Sequence, residues 1–198
     1  TIKKKKKQIK KRIEELKKLE KEQKLLDELK KLAEKLNKDD LLRKVKQLAE
    51  QNKQQERSLE RILELTKRFY VEQKTMQIAN KLDELSKKQD SVSKSPKSDL
   101  NQQKEIKIEF EELQKEINNL DKDNKALKEP MQIPDTKEEE KEVNNQLKKA
   151  EQKNQPDTNQ QKKSQNKASQ KMQEMSQKMQ QAMSDMEGEM KEANEKSL

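Results

Sequence analysis

The apolar residues of this chain are few, and they recur at steps of three and four. The run Ile106, Phe110, Leu113, Ile117, Leu120, Asn124 and Leu127 is spaced 4-3-4-3-4-3, which keeps one side of an α-helix turned toward a neighbouring helix. A half-buried strand would need alternation instead. Leu, Ile, Val and Phe together number 36 of 198 residues, about 18%, under the level of about 20% at which disorder becomes the expectation. Ala, Glu, Lys, Leu and Arg number 105, the bias of long helices and coiled coils. Periodicity decides between the two, and it favours helices.

The same spacing marks out the rest of the chain. Leu26, Leu29, Ala33 and Leu36, widened by Leu25 and Leu32, give a seam on a helix from about Ile9 to Leu36. Its phase slips at Asn37-Lys38-Asp39-Asp40, where Asn can end one helix and Asp cap the next, so a turn is expected near 37–40. From Leu41 a second seam passes through Val45, Leu48, Asn52, Gln55, Leu59, Ile62, Thr66, Phe69, Gln73 and Met76. Its polar members restrict register at a cost in stability. An overlapping seam then takes over at Val71, Thr75, Ile78, Leu82, Leu85 and Val92, a phase shift that rewinds a coiled coil without ending the helix.

Pro96, inside Ser91–Ser98, breaks the pattern. Asp99 with Gln102 reads as a capping box for the next helix, which Pro130 and Pro134 stop. Pro134-Asp135-Thr136 and Pro156-Asp157-Thr158, each followed by Glu139 or Gln161 three residues past the Thr, read as helix starts. Val143, Leu147 and Ala150 give a short, weakly apolar helix. Asn and Gln make up 16 of the 38 residues from 144 to 181, and a mobile linker is expected over 151–166, with a frayed helix as the alternative because Gln is a reasonable helix former. The predicted organisation is two long helices over 1–92, a linker over 93–98, a coiled-coil helix over 99–128, a short helix and low-complexity linker over 129–166, and a Met-striped helix over 167–198. A unit of apolar pair and acid four residues before Lys recurs at Ile13–Lys18, Leu26–Lys31, Leu82–Lys87 and Phe110–Lys115, and such charge pairs support helices.

Composition removes several classes of function. The chain has no Cys, no His and one Gly. The commonest general base, the thiolate nucleophile, the usual zinc ligands and a phosphate-cradling loop are therefore missing. Carboxylates such as Glu138-Glu139-Glu140 sit beside lysines and are expected ionised and solvated on a helix surface. No catalytic, cofactor or metal residue is assigned, and an enzyme is not expected. No apolar run approaches the length of a membrane span.

Net charge is +9, and eight of those charges fall in the first twelve residues, leaving +1 on the other 186. Lys3, Lys4, Lys5, Lys6, Lys7, Lys10, Lys11 and Arg12 are thus candidate contacts to a polyanion, nucleic acid or anionic lipid. Nucleic acid is the weaker partner, because no aromatic interleaves the lysines to stack on bases. The alternative is a solvated helix start with Ile2, Ile9 and Ile13 as sparse contacts. Met172, Met175, Met179, Met183, Met186 and Met190 stand at helical spacing. They are candidate partner-helix contacts; an exposed stripe of this flexible side chain would also suit chaperone-like client binding.

The stretch from Ser58 through Leu63, Phe69, Tyr70 and Glu72 to Gln89, and the Met-rich run from Met172 to Met190, resemble large Bacteroidota proteins of the domain of unknown function 4175 family. That resemblance implies a parent with N-terminal transmembrane helices followed by long charged helical segments, and it carries no activity or functional residue over. The chain begins at Thr1 and stops inside a helical pattern at Leu198, as a piece of a longer protein would. The expectation is an all-α, elongated fold of helical hairpins or coiled coil with a flexible Gln/Asn-rich linker. It would serve as a structural or scaffolding segment of a larger, membrane-anchored protein, with protein partners met through helical seams, self or other.

Overall fold

The computed structural model describes residues 2–35, 39, 43–44, 46–47, 58–96, 100–152 and 158–196. Among them the chain forms five helices and no strand: α1 (Ile2–Lys35), α2 (Ser58–Lys94), α3 (Leu100–Lys125), α4 (Lys137–Glu151) and α5 (Thr158–Lys196). The all-α expectation holds. Of the turn expected near 37–40 only Asp39 belongs to the described residues, and the capping Asp99 lies outside them. The chain divides into a unit of residues 1–70 and a unit of residues 71–198, and α2 contributes to both.

In the first unit, α1 runs beside the beginning of α2. Lys21 is ion-paired with Glu60, and Lys67 lies 3.2 Å from Glu28. Both pairs join residue i to residue i+39, so the two helices are parallel, with one heptad between the pairs. In that register Ser58 stands level with Leu19, and α1 runs on past the start of α2 toward its own N-terminus. Every residue from 2 to 20 is exposed. Early in α2, Ile62, Leu63, Thr66 and Tyr70 are buried, and the Thr66 hydroxyl donates to the Ile62 carbonyl at 2.6 Å. The Lys44 ammonium lies 5.4 Å from the centre of the Phe69 ring, within cation–π reach.

The second unit is an up-down-up-down four-helix bundle. Its order follows from pairs in which one residue number rises as the other falls. Lys81 with Glu116 and Lys88 with Glu109 make α2 and α3 antiparallel. Lys107 with Glu151 and Gln114 with Glu140 do the same for α3 and α4. Lys178 with Glu139 and Gln161 with the Ala150 carbonyl do so for α4 and α5. Ser86 with Ser169 and Ala79 with Ser176 then close α5 onto α2.

Most of the side chains that the spacing singles out are buried, Ile117 being only half-buried. Val71, Thr75, Ile78, Leu82, Leu85 and Val92 are all inside, as are Ile106, Phe110, Leu113, Leu120 and Leu127 on the α3 side and Val143, Leu147 and Ala150 on α4. Met76, where the phase changes, is exposed. The α3–α4 connection is held by one amide: Asn124 Nδ2 donates to the Met131 carbonyl and Met131 N–H donates to Asn124 Oδ1, both at 2.8 Å. Leu127 and Met131 are buried beside that clamp.

α5 begins at Thr158, not at 167. Ser164, Gln165 and Ala168 already belong to the interior, so 158–166 is bundle helix where a linker was expected. The Gln/Asn bias misleads there because Gln forms helix readily and the interior on this side accepts short hydroxyls and hydrogen-bonded amides.

Candidate interaction surface

Polar groups inside the bundle are paired with one another. Gln89 and Gln103 exchange two hydrogen bonds, at 3.0 and 2.8 Å, and Gln165 donates to Gln103 Oε1 at 3.1 Å, joining three helices through fully buried amides. The Ser86 hydroxyl donates to the Ser169 carbonyl and the Ser169 hydroxyl to the Ser86 carbonyl, both at 2.9 Å. Ser176 donates to the Ala79 carbonyl at 2.7 Å. A hydroxyl on a one-carbon stem reaches a facing backbone only when two helices approach closely. Ala79, Ser86 and Ser93 on α2 and Ser169 and Ser176 on α5, each set at heptad spacing, permit that approach. The heptad recurrence of small residues was the available signal for this contact.

The acidic run divides three ways, against the expectation that all of it is solvated. Glu138 is exposed, Glu139 is ion-paired with Lys178, and Glu140 is buried. Glu140 accepts from the Thr136 hydroxyl at 3.1 Å and from Gln114 at 3.4 Å. Burial still pushes its pKa up, and the two donors oppose that only in part. Lys178 holds the neighbouring Glu139 below its ordinary value. Thr136 stands before the first residue of α4 as expected, yet its hydroxyl goes to Glu140 and does not cap the helix.

The methionine stripe is also placed differently from an open binding surface. Met172, Met175 and Met179 are fully buried and Met183 and Met186 nearly so; the side chain of Met190 lies outside the described residues. The partner helices of the stripe belong to this same chain, since the methionines complete the bundle core. Chaperone-like holding of apolar clients would need them exposed, and here they are not.

A surface cavity of 420 Å³ lies between α2 and α3, lined by Leu85, Leu113 and the paired charges of Lys81 with Glu116 and Lys88 with Glu109. Its cations already face carboxylates. Among the described residues, no group of three or more acidic, His or Cys side chains is placed to hold a metal ion.

The basic run is different, because the fold leaves it open. Lys3, Lys4, Lys5, Lys6, Lys7, Lys10, Lys11 and Arg12 all lie on the uncovered part of α1. With them are Ile2, Ile9, Ile13, Leu16 and Leu19, each between 47% and 74% exposed. At 100° per residue Ile2, Ile9, Ile13 and Leu16 fall within an arc of about 60°, so they form one stripe, with Leu19 about 60° farther round the helix. Lys5 and Arg12 border it on one side, between the stripe and Leu19, and Lys6, Lys10 and Lys17 border it on the other. Ile2, Ile9 and Ile13 are thus part of a longer face that Leu16 extends.

Fold and surface together define an all-α protein with a self-contained helical bundle and an open basic, amphipathic helix. A scan against protein-family models found no match, and searches of curated proteins and of solved structures returned no similar protein. Among the described residues no helix is long and apolar enough to cross a membrane.

Proposed function

We propose that this chain is a structural, scaffolding segment of a larger protein and works through helix–helix contact. The observation that carries the reading is the bundle interior. The Gln89, Gln103 and Gln165 amides and the Ser86, Ser169 and Ser176 hydroxyls are committed to other helices of the same chain, and the methionines of α5 are buried among them, which is the arrangement of an element that supplies shape. The resemblance to the domain of unknown function 4175 proteins adds a membrane-anchored parent to this proposal, with the bundle as a spacer in its helical region.

Circular dichroism of the whole chain tests the reading. A strongly helical spectrum that melts in a cooperative transition is expected. A coil spectrum, or helix lost gradually without a transition, would overturn it, because a spacer must hold its shape.

A further inference from the structure

The open part of α1 has a second property that a scaffold does not require. Ile2, Ile9, Ile13, Leu16 and Leu19 present aliphatic side chains to solvent along about 26 Å of helix. An exposed stripe of this kind on a helix that continues past its neighbour marks an interaction surface. Charge identifies what covers it. Residues 2–13 carry eight cations and no acid, and those cations border the stripe on both sides, where long stems let each ammonium reach a plane of negative charge while the apolar face points into it. An aliphatic stripe flanked by cations on both sides suits a helix that lies in the interface of an anionic bilayer, and the two acids of this stretch, Glu14 and Glu15, stand on the side of the helix away from the stripe. Duplex nucleic acid would use the charges and leave the aliphatic stripe in water, and this stretch has no aromatic or Asn to read or stack on bases. A second copy of the chain would bring eight cations against eight.

We infer that residues 2–19 of α1 form an amphipathic membrane-surface helix that binds anionic lipid, with Ile2, Ile9, Ile13 and Leu16 entering the acyl boundary and the flanking Lys5, Lys6, Lys10 and Arg12 facing phospholipid headgroups. This goes beyond the scaffold reading and fails separately from it: the bundle can melt cooperatively whether or not α1 meets a membrane.

The test is flotation of the full chain with phosphatidylcholine vesicles, with and without phosphatidylserine at about one part in three. Binding is expected only with the anionic lipid, weakening as salt rises from about 0.1 M and shortens the Debye length. Two sets of substitutions separate the contributions. Replacing Lys3, Lys4, Lys5, Lys6 and Lys7 by Gln removes the attraction. Replacing Ile9, Ile13 and Leu16 by Gln keeps every charge and lowers vesicle affinity roughly tenfold or more if the stripe is inserted. All of these residues are exposed, and the bundle's dichroism serves as the folding control. Since the chain has no Cys, an environment-sensitive dye on I13C reports insertion by a blue shift, and on K11C it reports none. Three results overturn the inference: no binding to anionic vesicles, binding that the Ile9/Ile13/Leu16 set leaves unchanged, or binding to random duplex DNA that outcompetes the vesicles.

Discussion

Ser86, Ser169 and Ser176 decide how near α2 and α5 can come, because each donates to the backbone of the opposite helix. Removing only the hydroxyl, as in S169A, is expected to cost about 1 kcal/mol. Adding bulk, as in S169L, forces the helices apart and is expected to cost about 1–3 kcal/mol, so thermal melts should rank wild type above S169A and S169A above S169L. Neighbouring carboxylates respond to pH in opposite senses. Burial raises the Glu140 pKa, so this group favours the fold in acid, and that contribution is lost as pH rises through its folded value. Glu139, held low by Lys178, contributes above its ordinary value of about 4.3 and loses that contribution as pH falls. E140Q is therefore expected to melt higher than wild type at pH 7 and to lose that advantage near pH 4, which a pH series of melts would check; an equal or lower midpoint at pH 7 would count against a strained carboxylate. Neither role was legible in the residues themselves. Glu138, Glu139 and Glu140 look alike in sequence, and only the rotation of α4 separates the solvated one from the paired one and the buried one.

At the level of the element, the spacing of apolar residues carried most of the information. The seams through Ile78, Leu82 and Leu85 and through Ile106, Phe110 and Leu113 are buried but for the half-buried Ile117, because on a helix of 3.6 residues per turn that spacing leaves one face to cover. What the spacing could not show is the second row beside each seam. Ala79, Ser86, Gln89 and Ser93 are also inside, since a helix in a four-helix bundle meets neighbours on two sides where a two-stranded coiled coil meets one. Polar residues in that row read as surface, which is why the first turns of α5 read as a linker. The Gln89, Gln103 and Gln165 cluster gives the test. Q103L leaves two buried amides without their partners, an expected loss of about 1–3 kcal/mol. Changing all three to Leu removes the unpaired groups together and should recover most of that loss. Denaturant midpoints of the single and triple variants decide it, and a triple variant weaker than Q103L would show that the amides matter for shape more than for pairing.

For the molecule as a whole, a chain this poor in hydrophobes can still build a core because it concentrates them in one place. Twelve residues hold nearly all the net charge, while the bundle's interior draws on aliphatic seams from three helices and methionine from the fourth. Methionine suits an interior position, since its unbranched and flexible side chain adapts to the space around it. Met172, Met175, Met179, Met183 and Met186 are buried within the chain itself. It follows that the two ends of the chain should separate by experiment. Replacing Met172, Met175 and Met179 by Gln puts three amides into a dry interior, each at an expected cost of about 1–3 kcal/mol without partners, enough to exhaust the stability of a small domain. That variant should lose the cooperative melt of the bundle. Deleting residues 2–18 removes only exposed side chains and should leave that melt in place while abolishing capture by anionic vesicles. Dichroism and flotation on the two variants give a crossed pattern if the bundle and the basic helix are independent devices. Loss of the melt on deleting α1's open part would mean instead that the lysine-rich turns support the fold, and the membrane role would then have to be sought elsewhere on the surface.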